Sequence, residues 1–196
     1  MSWHKLCNRR FLAQPGTNDA SAYGVHVQPH AAVGLAAVMR CIGVHHLTPG
    51  ENRGNHHIYL DVLDEDGGRL EGAVVCYTWQ GHRGDPLRVL CDKADHEPAA
   101  NIPIWPGQVI NLWVETGQAG DASDRVTGIH TAHPDEGAGN TRYHHSFYVV
   151  FQVRRLALPQ PNEAPVPLAE VLHDLLTRLH RIREDAQAIA ETLQKL

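Results

Sequence analysis

Residues 168–196 carry a heptad repeat, the feature of this sequence that most limits how the chain can fold. Apolar side chains recur there in alternating steps of four and three, the spacing of a coiled coil. A helix with this pattern has a narrow apolar stripe that it cannot bury alone. The positions are Leu168, Leu172, Leu175, Leu179, Ile182, Ala186, Ile189, Leu193 and Leu196.

The repeat predicts a homo-oligomer. Assigning Leu172, Leu179 and the residues in phase with them to position a leaves Ile182 and Ile189 among the d positions. Leucine at a with isoleucine at d favours a trimer or a tetramer, and of the two we favour the trimer. The alternative is a helix that folds back on its own chain, but such a helix follows a 3.6-residue period with a broader apolar face.

The region before the repeat is predicted to be mostly β. Short alternating segments are separated by turn signals, which is typical of a two-sheet sandwich or a small barrel with six to eight short strands. Prolines crowd the segment between this region and the repeat, which predicts a semi-rigid linker. The predicted regions are an N-terminal arm at 1–36, a β-sandwich at 37–155, a proline-rich linker at 156–167 and an oligomerisation helix at 168–196.

One hairpin is predicted in particular. His57–Asp64 alternates as a strand, Asp66-Gly67-Gly68 forms a tight turn, and Leu70–Trp79 returns as its partner. Carboxylates in this segment, Asp61 and Asp64 among them, are interpreted as surface groups of the strand and turn.

Charge and cysteine content narrow the partners and the compartment. The net charge is −5, which argues against nucleic-acid and anionic-membrane partners, because both require a basic surface. Lys5, Arg9 and Arg10 precede no apolar segment, so we expect synthesis in the cytoplasm without a signal peptide. The four cysteines form no CxxC pair, which argues against a zinc site built from cysteines alone. Cys41, Cys76 and Cys91 lie in apolar strand-like segments, which predicts buried reduced thiols.

Histidine is abundant, with 15 residues that include the adjacent pairs His45-His46, His56-His57 and His144-His145. Neighbours on a strand face opposite sides, so three strand ends could bring three imidazoles together as a zinc site. His130 and His133 add an HxxH spacing on a loop. The alternative is a polar rim of hydrogen-bonded histidines, with no cofactor. The candidate zinc ligands are His130, His133, His144 and His145.

Aromatic residues suggest a second kind of site. Trp79, Trp105 and Tyr143 are candidates for stacking on sugar rings, whose apolar faces pack on indole and phenol groups. Packing in the core or between subunits is the alternative, and it is at least as well supported for Trp113, which lies in the middle of a strand.

Several short motifs resemble a known family. They are His56-His57-Ile58-Tyr59-Leu60-Asp61-Val62-Leu63-Asp64, Asp92-Lys93 with Glu97-Pro98-Ala99-Ala100-Asn101, Ser123-Asp124-Arg125-Val126 with Gly128, and Ser146-Phe147-Tyr148 through Phe151-Gln152. They resemble the immunoglobulin-like accessory domains found beside bacterial and phage cell-wall hydrolases and in uncharacterised phage or surface proteins. The resemblance implies a non-catalytic immunoglobulin-like sandwich used for surface recognition or assembly. We expect no attached hydrolase domain, and in this respect the chain would differ from that family.

Three functions follow as hypotheses. The first is a non-enzymatic structural or adhesion protein without catalytic residues, such as a virion decoration, fibre or tail-associated protein, or a surface recognition module. It would act in the virion or at an extracellular surface, with other virion proteins or a surface glycan as partners. The second is a carbohydrate-binding module of a cell-wall-targeting system. The third is a zinc hydrolase built from the histidines.

Overall fold

The described residues form ten strands in two five-stranded sheets in a computed structural model. The structure describes residues 2–117, 122–131, 133, 136 and 144–156, and further on 176, 177, 179, 180, 182, 183 and 187. The chain divides into two units, Met1–Leu156 and Ala157–Leu196. The first unit contains both sheets.

The first sheet, sheet A, has its last strand near its centre. Its strands are β1 (Thr17–Asn18), β3 (Ala37–His46), β4 (His57–Leu63), β7 (Ala100–Pro103) and β10 (Phe147–Arg155). Their order is β1-β3-β10-β4-β7. Strand β10 pairs antiparallel with β3 and parallel with β4, so it connects the two halves of the sheet.

The second sheet, sheet B, is antiparallel throughout. Its strands are β2 (His26–Gln28), β5 (Val74–Trp79), β6 (Leu87–Leu90), β8 (Ile110–Val114) and β9 (Arg125–Ile129). Their order is β2-β9-β8-β5-β6.

Two helices and a short 3-10 turn belong to the same unit. Helix α1 spans Trp3–Ala13, the 3-10 turn spans Ser21–Tyr23, and helix α2 spans Pro49–Asn52. Thr48 begins α2 with a capping box, in which its side chain accepts from the Glu51 N–H and the Glu51 carboxylate accepts from the Thr48 N–H.

Alternation along β10 separates two hydrophobic cores. Phe147, Val149 and Phe151 join the main core, which also contains residues of sheet B such as Leu112. The intervening Tyr148 and Val150 face the other side and join a smaller core. Because both faces are covered, this strand is apolar at every position from Phe147 to Phe151.

Helix α1 covers the outer face of sheet A. Its Cys7 and Phe11 contribute to the smaller core beside Ile42 and Tyr148. Gly43 permits this approach, because a Cβ at that position would lie only 2.2 Å from the Phe11 ring. The absence of a side chain at Gly43 on β3 therefore allows the helix to pack closely against the sheet.

The region 37–155 holds eight strands within its described part, and the N-terminal segment adds two more. The segment predicted as an arm thus contains α1, β1 and β2, and its helix has a buried face. All four cysteines are buried and none forms a disulfide, in agreement with the prediction for Cys41, Cys76 and Cys91.

The predicted hairpin forms only at its turn. Arg69 forms an isolated antiparallel β-bridge with Leu63, and the Leu70 N–H donates to the Val62 carbonyl. The chain then leaves sheet A, and β5 pairs with β6 and β8 in sheet B. The prediction that Leu70–Trp79 is the partner of β4 is therefore wrong beyond Leu70.

Asp61 was also misassigned as a surface group. It is only 1 % exposed, because the face of β4 that it shares with Tyr59 is covered by α1 and not by water. Asp64, in contrast, lies at the turn, where its carboxylate accepts from the N–H groups of Asp66 and Gly68.

In the C-terminal unit, the described residues of the heptad repeat are Leu179 and Ile182. Both are helical. They are 61 % and 64 % exposed, and neighbouring Leu176 is 64 % exposed. The other predicted seam positions lie outside the described residues: Leu168, Leu172, Leu175, Ala186, Ile189, Leu193 and Leu196.

Within the described part of the chain, no helix has both the length and the apolar character needed to cross a membrane.

Candidate functional site at the histidine-rich end of the sheets

One end of the two sheets gathers eight histidines, here called the histidine end. Strand β3 finishes at His46, β4 begins at His57, and the register pairs Phe147 of β10 with both His46 and Ile58. The ends of these strands therefore meet at one edge. The eight residues are His45, His46, His56, His57, His130, His133, His144 and His145.

The strand alternation divides the adjacent pairs. His46 lies beside Phe147 of the main core, with ring centroids 5.5 Å apart. His45 faces the other side of β3, where it contacts Asp19 and Glu51. As expected from the sequence, the two imidazoles of this pair serve different surroundings.

The first group at this end, here called the Tyr23 cluster, contains Tyr23, His46, His130, His133 and His145. Tyr23 stacks on His46 with centroids 3.8 Å apart, and the His46 Nε2 lies 2.6 Å from the His145 Nδ1. The rings of His133 and His145 are 4.4 Å apart, and those of His130 and His133 are 4.0 Å apart. These distances describe a packed group of rings.

Charge is disfavoured inside the Tyr23 cluster. Burial and the neighbouring His145 imidazole lower the pKa of His46 to about 4. A neutral imidazole has one N–H donor and one acceptor nitrogen, which suits the short contact between His46 and His145. The His46 imidazole is therefore neutral at neutral pH and shares a hydrogen bond with His145.

The second group, here called the Trp105 patch, contains Trp105, His56, His57, His144 and Tyr59. The Trp105 ring lies 5.8 Å from His56, which lies 5.5 Å from His144 and 5.6 Å from His57. Trp105 is 58 % exposed. An exposed indole flanked by imidazoles offers an apolar face with polar groups at its edge.

His57 is half-buried in this patch. Its pKa is lowered by burial, by the nearby His56 and by Lys93. Among the described residues, its buried Nδ1 has no hydrogen-bond partner.

No family model matches this chain, and no curated protein or solved structure matches it with significant similarity.

The four histidines predicted as zinc ligands are divided between the two groups. His130, His133 and His145 lie in the Tyr23 cluster, whereas His144 lies beside His56. The His133 Nε2 lies 3.1 Å from the His130 carbonyl oxygen and donates to it, which occupies one of its two nitrogens. Among the described residues, three donor atoms converge as a possible metal group only at Cys7, His45 and Glu51.

The predicted stacking residues also differ in their surroundings. Trp79 is half-buried, packs against the main core and lies 4.3 Å from His82. Trp113 is 5 % exposed, with the Arg125 guanidinium 4.0 Å from its ring, so its packing role is confirmed. Tyr143 lies outside the described residues.

Sequence reasoning missed the residues that surround His45, namely Cys7, Asp19 and Glu51. The pattern Thr48-Pro49-Gly50-Glu51 matches the capping-box signature, and it could have revealed α2 and the position of Glu51. No local signal connects Cys7 or Asp19 to His45, because those contacts depend on how α1 and β1 pack on β3.

A separate cleft of about 250 Å³ opens beside α1 and is lined by Lys5, Arg9, Asp61, Arg69 and Asp95, among others. Its charges are largely matched internally: Arg69 donates to Asp61, and Lys5 pairs with Asp95. With Arg9 included, the five named side chains carry a net charge of +1, which gives the cleft only a weak preference for anions.

Proposed function

We propose that this protein is a non-enzymatic structural or adhesion module that works as a homo-oligomer. In this proposal the two sheets form an immunoglobulin-like sandwich, and residues 168–196 form a trimeric coiled coil. A virion decoration, fibre or tail-associated protein, or a surface recognition module, fits this plan. Such assemblies multiply weak contacts through avidity.

The observation that carries this proposal is the exposure of apolar helical residues. Leu179 and Ile182 are three residues apart, and each exposes more than 60 % of its surface. Leu176 extends the same apolar stripe. Burying a leucine or isoleucine side chain contributes roughly 1.5–3 kcal/mol. Packing against a second and a third copy of the same helix would bury these exposed side chains.

Analytical ultracentrifugation of the full chain at micromolar concentration tests the assembly. We expect a trimer for the wild type and a monomer for Leu179→Glu, because a buried carboxylate in the seam cannot be paired. The matched control is Gln187→Glu, which introduces a glutamate at an outward-facing heptad position and should leave the trimer intact. A wild-type chain that stays monomeric at micromolar concentration would refute the proposal.

A second candidate function is glycan binding at the Trp105 patch, favoured by the exposed indole beside His56 and His144. Sugar rings stack on such surfaces while imidazoles bind hydroxyl groups. The resemblance to accessory domains of cell-wall hydrolases agrees with a cell-wall or surface glycan.

Binding to a glycan array and to cell-wall fragments tests this second function. We expect Trp105→Ala to weaken binding by about tenfold or more, the effect of removing an aromatic hot spot. The control is Leu90→Ala, which removes another exposed apolar side chain, 47 % exposed on β6 of sheet B. Equal binding by both variants would exclude the patch as the site.

A further inference from the structure

Three side chains with metal-binding atoms converge beneath helix α1. Cys7 comes from α1, His45 from the end of β3, and Glu51 from α2. One thiol, imidazole or carboxylate atom from each lies within 4.8 Å of the other two. Cys7 and His45 are only 7 % and 9 % exposed.

His45 is already oriented as a metal ligand would be. Its Nδ1 donates to Asp19 Oδ2 over 2.8 Å, which directs Nε2 toward Glu51 Oε2 at 3.1 Å. Metal-ligating histidines usually hold a carboxylate or carbonyl with their second nitrogen, an interaction that fixes the tautomer and the ring orientation.

The two carboxylates are themselves held in place. Asp19 accepts from the Arg10 guanidinium at 2.9 Å and from the His46 N–H at 2.7 Å. Glu51 Oε2 accepts from both the N–H and the hydroxyl of Thr48 at 2.8 Å. The donors therefore stand on a supported framework.

The distances suit a small tetrahedral ion. Bonds of about 2.0–2.3 Å place neighbouring ligand atoms roughly 3.3–3.8 Å apart in a tetrahedral zinc site. The Nε2–Oε2 separation of 3.1 Å already has this scale. The three ligand atoms lie within 4.8 Å of one another. The longest of their separations therefore needs to shorten by no more than about one ångström to enter the tetrahedral range.

We propose that Cys7, His45 and Glu51 bind a zinc ion, with Asp19 orienting His45 and water completing the tetrahedron. Thiolate, imidazole and carboxylate are the ligand types that zinc takes in proteins. The ion would connect α1 and α2 to β3, which assigns it a structural role.

Protons balance the binding step. Burial raises the pKa of the Cys7 thiol to about 11, so the metal-free protein carries the thiol. Formation of the Zn–S bond breaks the S–H bond, and formation of the Zn–N bond displaces the Nε2 proton that His45 donates to Glu51. Both protons pass to solvent, because metal ligands must be deprotonated.

Cobalt(II), a coloured substitute for zinc, is the probe. We expect untagged full-length protein, reduced and stripped of metal, to bind one equivalent and to develop a thiolate-to-cobalt charge-transfer absorption. Zinc should displace the cobalt and remove the colour. Binding without the charge-transfer absorption would assign the metal to other histidines and overturn the proposal, as would no saturable binding at all.

Variants locate the site. Cys7→Ser should abolish the charge-transfer absorption, whereas Cys76→Ser, the matched change at a buried cysteine of β5, should retain it. Asp19→Asn should retain the colour but weaken zinc binding by about 10–100-fold, the effect expected of a residue that orients a ligand. Circular dichroism confirms that each variant is folded. Colour retained in folded Cys7→Ser would refute the assignment.

Discussion

Asp61 shows how a buried charge is accommodated in this fold. Its Oδ1 accepts from the Arg69 guanidinium at 2.9 Å and from the Ala99 N–H at 2.7 Å. Its Oδ2 accepts from the Tyr148 hydroxyl at 2.5 Å and from the Asn8 amide at 2.9 Å. With four donors around it, the carboxylate links α1, β4 and β10.

Asp61→Ala should therefore be strongly destabilising. Removing one partner leaves the mostly buried Arg69 guanidinium uncompensated, and such changes cost about 3–5 kcal/mol. Urea unfolding gives the free energy of unfolding. As a control, Asp95→Ala removes a carboxylate that is 74 % exposed, and it should cost less than about 1 kcal/mol. Equal losses in the two variants would contradict this account.

His57 should make stability depend on pH. Burial, His56 and Lys93 hold its folded-state pKa below the ordinary value of 6.5. The unfolded chain therefore binds a proton at position 57 first as pH falls, so the contribution of His57 to stability is constant above about pH 6.5 and declines below it.

Urea unfolding at neutral and acidic pH measures this loss. We expect His57→Gln to lose less stability than the wild type between the two conditions. His26→Gln, which removes an exposed imidazole on β2, is the control for loss of a histidine. If His57→Gln loses as much stability as the wild type between neutral and acidic pH, other groups cause the pH dependence.

At the residue scale, the sequence predicted orientation better than partners. Period-two alternation correctly separates His45 from His46. It cannot reveal that Asp19 and Glu51 meet His45, because these contacts join separate elements. Asp61 was interpreted as a surface group for the same reason, since nothing local shows that α1 covers β4.

Among the elements, the contact between α1 and β3 is the most sensitive to side-chain size. A Cβ on Gly43 would meet the Phe11 ring at 2.2–2.3 Å. Gly43→Ala should therefore destabilise the protein by about 1–3 kcal/mol, the usual cost of overpacking.

Urea unfolding tests this, with Gly50→Ala as the control because nothing lies within 4 Å of a Cβ there. A double-mutant cycle with Phe11→Leu should show a coupling of about 0.5–3 kcal/mol. Additive effects of the two substitutions would mean that the ring does not sense position 43.

Strand positions were largely predictable, whereas sheet membership was not. Arg125–Ile129 was predicted with the observed bounds, since alternation and turn residues mark a strand locally. The Asp66–Gly68 turn also forms as a turn. The departure of β5 to the other sheet depends on distant pairing with β8, which no local signal at Leu70 encodes.

At the scale of the whole molecule, the unit that holds both sheets should be independent of the heptad repeat. Its cores draw on residues of Met1–Leu156. A chain ending at residue 156 should fold with an unchanged near-UV circular dichroism spectrum. It should also be monomeric by analytical ultracentrifugation if the repeat drives assembly.

Loss of the folded spectrum on truncation would show that the sheets need the C-terminal unit. A truncated chain that is still a trimer would move the oligomer contact to the sheets. At this scale the sequence predicted the mostly β character and a distinct C-terminal segment. It did not predict that the first 36 residues supply a helix and two strands to the same unit.

The central position of β10 has a consequence for protein synthesis. The N-terminus of a growing chain leaves the ribosome first, and β10 begins only at Phe147. Until then β3 and β4 lack the strand that lies between them, so their hydrogen-bonding edges stay open. Premature termination before this point would therefore yield an aggregation-prone fragment and not a smaller folded protein. Such a fragment is a target for chaperones and proteases.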